Sequence, residues 1–207
     1  VPHLRRGALL SLVAMGAVAL GACGVPLGGS PTVIANSQVN PSALAPPPTT
    51  VQQGTQTFIY LIAASGTPAA VPLLVPPEQC SNFESLLSRL VQGPDSEQET
   101  GGFSTAIPVG TEVLSVTPRT ATSKLGTGPI TVDFNDSFGE VAGAGQVLAI
   151  EQIVHTIDVL VPFGQVQVLF EIDGQPIEVP VGSGAQVPRP VTSSDYSAGI
   201  GQVTANC

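Results

Sequence analysis

Two apolar periodicities share the stretch from residue 55 to residue 183, and together they restrict the fold more than any other feature of the chain. From Phe83 the apolar residues Phe83, Leu86, Leu87, Leu90 and Val91 recur at i, i+3, i+4, i+7 and i+8, one stripe of a helix. Ser81 with Glu84 three residues on reads as a capping box, and Gly93-Pro94 closes the segment. A second helix is expected from about Gly145 to Leu160, with Val147, Ile150, Val154, Ile157 and Val161 on its apolar side. Elsewhere the period is two. Phe58, Tyr60 and Ile62 share a face, and Val71–Val75 is an edge strand because Pro72 lacks a donor. Glu112–Thr117 and Pro129–Phe134 are strand-like. In Gln165–Ile172 the residues Val166, Val168, Phe170 and Ile172 oppose Gln165, Gln167 and Glu171, and Asp173-Gly174 turns into Ile177–Val181. One-sided helices and alternating strands predict an α+β two-layer sandwich, two helices packed on one face of a mostly antiparallel sheet.

The flanks differ in kind. Arg5 and Arg6 precede an apolar run from Ala8 to Leu20, too short to span a bilayer, which requires roughly 20 residues. Leu20-Gly21-Ala22-Cys23 follows, matching the bacterial lipobox, in which the thiol accepts a diacylglyceryl group. Residues 1–22 are thus expected to be a signal peptide and Cys23 the acylated (palmitate-type) first residue of the mature chain, with an ordinary secretory peptide as the alternative. Val1 fits an alternative GTG start. Residues 23–54 are rich in Pro, Gly, Ser and Thr and read as a spacer, 55–183 as the domain, 184–207 as a tail, and 95–102 as an acidic flexible stretch.

All 15 acidic residues lie after Cys23 but only four basic ones do, a net −11 for that part. Such a surface disfavours nucleic acid. With Cys23 acylated, Cys80 and Cys207 remain and are expected to form a disulfide, with two unpaired thiols as the alternative.

The order of the pieces resembles the GerMN domain, the module named after the spore germination protein GerM. The residues carrying the resemblance are Phe58-Ile59-Tyr60-Leu61, Leu86-Leu87-Ser88-Arg89-Leu90 with Gly93-Pro94, and Ser104-Thr105-Ala106-Ile107-Pro108-Val109-Gly110-Thr111. They continue in Ile130-Thr131-Val132-Asp133-Phe134, Gln152-Ile153-Val154-His155-Thr156-Ile157 and Asp173-Gly174. The resemblance implies an exported, non-catalytic part of the cell envelope, similar to the ring-building modules of envelope machines.

The residues themselves offer little for catalysis. His155, four residues after Glu151, reads as a solvated pair rather than a dyad. Asp133 with Asp136, and Glu97 with Glu99, read as turn and loop residues. Gly143-Ala144-Gly145 lacks the lysine of a phosphate loop, and Cys/His spacing for zinc is missing. Tyr60 and Tyr196 do not make a sugar-stacking platform. The expectation is therefore a non-enzyme with no cofactor, anchored by Cys23 on the outer face of the cytoplasmic membrane. It would bind an envelope protein or itself or, as the alternative, peptidoglycan or a small ligand through the Gln165/Gln167/Glu171 face.

Overall fold

The computed structural model describes residues 54–121, 128–161, 166–196 and 203–207. Strand β1, Thr55–Ile62, turns at Gly66 (φ 82°) into antiparallel β2, Pro68–Val75, with Phe58 opposite Pro72. Helix α1, Phe83–Val91, buries Phe83, Leu86, Leu87 and Leu90, the predicted stripe. Its cap is Asn82, not Ser81: the Asn82 side chain accepts from the Ser85 amide at 3.0 Å. Ser81 lies one step earlier, in a turn where its carbonyl takes the Ala121 amide beside the isolated Asn82–Thr120 bridge. Gly93, at φ 76°, ends the turn where a Cβ would be strained.

The acidic stretch is partly a helix. Helix α2, Ser96–Thr100, is nucleated by Asp95, which accepts from the Glu97 and Gln98 amides while Gln98 bonds back to the Asp95 amide. That is a complete capping box.

Strand β3, Val113–Thr117, pairs antiparallel with β4, Ile130–Phe134, through one irregularity between Val113 and Ser115. Helix α3, Ala144–Asp158, then carries the chain to β5, Val168–Ile172, which runs parallel to β4. A parallel pair requires such a crossover, so β4-α3-β5 is a βαβ unit. Asp173 (φ 49°) and Gly174 (φ 72°) form the two-residue turn into β6, Gln175–Pro176. The strand expected over 177–181 is interrupted after β6, and Val179–Pro180 is a separate β7 paired with β8, Gln186–Val187.

The class is α+β, but the single expected sheet is three: β1-β2, β3-β4-β5-β6 and β7-β8. One core joins them, with Ile59, Leu61, Leu87, Leu90, Ile130, Val132, Ile150, Ile153 and Val168 fully buried. Phe138 stacks on Phe134 (4.5 Å between centroids) and Phe170 (6.4 Å).

The boundary at residue 183 does not divide the structure. Val191 is fully buried and bonded in both directions to Val168, and Tyr196 donates its hydroxyl to the Pro180 carbonyl. The Asn206 amide reaches Gln56 O and the Ala205 amide reaches Val159 O. Residues 184–207, read as a Pro/Ser/Gly-rich tail, supply core side chains instead.

Candidate functional site: a clamped strand and an open groove

Helix α3 was expected to show one apolar side and one wet side. Every residue from Ala149 to Ile157 is buried. The cause is β1, whose second edge has no strand partner along most of its length. Gln152 Nε2 donates to Tyr60 O at 2.9 Å, and Gln152 Oε1 accepts from the Ala106 amide at 2.8 Å. Thr156 Oγ1 accepts from the Tyr60 amide at 2.9 Å. On either side, Ile62 bridges Ser104 and Gln56 O takes the Asn206 amide. The helix thus replaces a strand with two side chains one turn apart, and the edge is closed to further pairing.

His155 is drawn in with them and is only 6% exposed, so the solvated Glu151–His155 pair expected from sequence is a buried one. Its Nε2 lies 3.9 Å from Glu151 Oε1, beyond hydrogen-bond range, and its ring sits 5.2 Å from that of Tyr60. Burial lowers its pKa from 6.5 to about 4. A histidine kept neutral in the fold gives stability that is complete above the unfolded pKa and declines as the pH falls through 6.5 toward 4. Replacement by glutamine is therefore expected to flatten the stability profile between pH 6.5 and 4, read as urea midpoints at several pH values. An unchanged slope would place the acid-sensitive group elsewhere.

The remaining acidic candidates have structural partners. Asp133 Oδ1 accepts from the Gly174 amide, fixing the hairpin turn, and Asp136 is exposed in a 3-10 turn. Glu97 and Glu99 are exposed on α2. Gly143 (φ 62°) and Ala144 begin α3 without a side-chain cap. Gln167 is exposed and Glu171 half-buried, while Gln165 lies outside the described residues. Cys80 and Cys207 are joined by a disulfide with their Cα atoms 5.5 Å apart. Cys23 lies outside the described residues. Among the described residues no Cys/His/Asp/Glu group is arranged to hold a metal ion, and no helix is long and apolar enough to cross a membrane.

The other segment singled out in the sequence, Ile107-Pro108-Val109-Gly110-Thr111, makes the surface feature that periodicity could not reveal. Gly110 turns at φ 88°, and Asn135 locks that turn: it donates from Nδ2 to Gly110 O and accepts at Oδ1 from the Glu112 amide. Ile107 and Thr111 point inward, while Val109 is left 97% exposed. Between this turn, the end of α1 and the start of β3 lies a groove of about 550 Å³, lined in part by Val91, Ile107, Val109, Thr111, Glu112 and Val113. Thr111 is 5% exposed, and its Oγ1 has no hydrogen-bond partner.

Comparison with known proteins agrees with this architecture. Residues 58–178, more than half of the chain, match the family model described as Germane, sporulation and spore germination. The chain belongs to this family, whose module is the GerMN domain. It is similar to the tandem GerMN domains of the sporulation protein GerM from Bacillus subtilis, with TM-score 0.53 and 22% identity over 72% of this chain and 51% of that one. It thus spans about half of that tandem structure. The first GerMN domain of the same protein gives TM-score 0.51 and 25% identity over 67% of this chain and 98% of that domain. No curated protein matches.

Proposed function

We propose that the chain is a non-catalytic lipoprotein of the cell envelope whose GerMN domain is a protein-interaction or scaffolding module on the outer face of the cytoplasmic membrane. The observation that carries the interaction reading is the placement of exposed apolar side chains. Val109, Leu74 and Leu114 are 97, 65 and 46% exposed, and all three sit on outer strands or the turn leading into one. An exposed apolar side chain on an unpaired strand edge offers a contact point to another chain. Family membership is consistent with this reading, since the similar solved domains belong to a sporulation protein. The anchor rests on Leu20-Gly21-Ala22-Cys23 at the end of the apolar run.

Replacement of Cys23 by serine is expected to move the protein from the membrane to the soluble fraction or leave its leader uncut, with loss of the acyl mass. Intact mass spectrometry and fractionation of cells read both. Equal membrane retention of the serine variant would remove the anchor. Crosslinking in cells tests the module, and a domain that stays monomeric and crosslinks to nothing would remove the interaction reading. Co-sedimentation with purified peptidoglycan would favour the ligand-binding alternative.

A further inference from the structure

We infer that the groove beside Val109 and the outer edge of β3 form one docking site for an extended, apolar segment of a protein partner that carries a basic residue next to its inserted side chain. The inference rests on the interaction reading above and specifies where and what the module binds.

Among strands of five or more residues, β1, β2 and β3 stand at the end of a sheet, and the outer margins of two of them are blocked. The far edge of β1 is occupied by Gln152, Thr156 and the C-terminal residues. On β2, Pro68 and Pro72 remove two donors. Strand β3 is different: Val113-Leu114-Ser115-Val116-Thr117 holds no proline and no charge. It is the end strand of its sheet, and among the described residues no hydrogen bond outside the ladder to β4 reaches Leu114–Thr117. Natural sheets usually blunt such an edge.

The groove adjoins that edge, since Val113 belongs to both and Glu112 immediately precedes the strand. Its walls give a partner side chain Val91, Ile107 and Val109 to pack against. Thr111, part of the lining, is buried and its hydroxyl oxygen has no hydrogen-bond partner. An added strand whose insertion opens the groove around this oxygen would bring a backbone N–H to it. Glu112 is the one charged residue of the lining, exposed, in a chain of net charge −9. That charge favours lysine or arginine on the partner and opposes a second copy of the same acidic surface.

The test is titration of the isotopically labelled full chain with an acetylated, amidated Lys-Val-Thr-Val-Thr-Lys peptide, its Glu-for-Lys counterpart and a version with a central proline, followed by amide chemical shifts. Shifts confined to residues 107–117, stronger for the basic peptide and absent for the proline version, are expected. Val109→Lys should weaken binding roughly tenfold, the size of one lost apolar contact. Thr111→Val should weaken it about fivefold while leaving thermal stability unchanged or higher, because the hydroxyl has no partner to lose in the free domain. Glu112→Gln should bring the basic and acidic peptides closer together. Absence of localised shifts at millimolar peptide, or equal response to both charges, would overturn the proposal. So would a peptide-independent dimer that Leu114→Lys disperses, which would give the edge to a second copy. If crosslinking in cells finds a partner that Val109→Lys leaves in place, the interaction reading stands and this site falls.

Discussion

Replacing Gln152 by leucine is expected to lower the stability of the domain by about 2–5 kcal/mol, although the position is fully buried and leucine nearly preserves the side-chain volume. The reason is the two groups left behind. Gln152 is fully buried and bonds the Tyr60 carbonyl and the Ala106 amide together. With leucine in place the Tyr60 carbonyl loses its partner in the interior and the half-buried Ala106 amide loses its own, and each such loss costs roughly 1–3 kcal/mol. Urea unfolding gives the total, and hydrogen exchange gives the location: protection of the Ala106 amide should be lost. Thr156→Val removes one further bond, that to the Tyr60 amide. Because both bonds end on Tyr60, the double variant should be less destabilised than the single effects suggest. A cost below about 1 kcal/mol for Gln152→Leu would mean that water takes over both bonds, and that α3 does not close the β1 edge.

The clamp also explains where the sequence could be read and where it could not. Helix α1 was legible because it packs one face on a core and leaves the other to solvent, the arrangement that a 3.6 period encodes. The Asp173-Gly174 turn was legible because both residues must adopt positive φ, which few residue types accept. Helix α3 has an apolar stripe too, but its remaining side is buried against a strand edge. Polarity there signals backbone hydrogen bonding rather than water, so Gln152, His155 and Thr156 look like a wet face in a one-dimensional pattern. Helix α2 escaped notice because its five residues have no buried member. The signal was nevertheless present, since Asp95 and Gln98 stand three apart as a capping box requires. The division into three sheets, and the parallel β4-β5 pairing, depend on contacts between segments far apart in the chain, and alternation within each strand is the same in either arrangement. The groove was hidden for a related reason. Val109 occupies a turn of the same composition as many others, and nothing in the order Ile-Pro-Val-Gly-Thr states that its third member faces water while its last is buried with an unsatisfied hydroxyl.

Breaking the bond between Cys80 and Cys207 should have an effect of similar size or larger, through a different part of the free-energy balance. The bond spans 127 residues, and in the chain-entropy model a closure of that length destabilises the unfolded state by about 5 kcal/mol. The native side adds less. The last residues contribute two backbone bonds, to Gln56 and Val159, and Ala205 packs against the core. Cys80 is 2% exposed whereas Cys207 is exposed, so a soluble dithiol should attack the Cys207 sulfur and leave Cys80 as the departing thiolate. Cys207→Ser and the reduced wild type should then behave alike, each losing about 3–5 kcal/mol in urea unfolding. The denaturant slope should rise, since the unlinked unfolded chain exposes more surface. The two contributions separate in a third variant. Deleting residues 203–207 removes the native contacts together with the bond, so its further loss beyond Cys207→Ser measures the strap alone. If reduction costs less than about 1 kcal/mol with an unchanged slope, the reduced unfolded chain is already compact, and the bond serves to hold the C-terminus against β1 rather than to stabilise the fold.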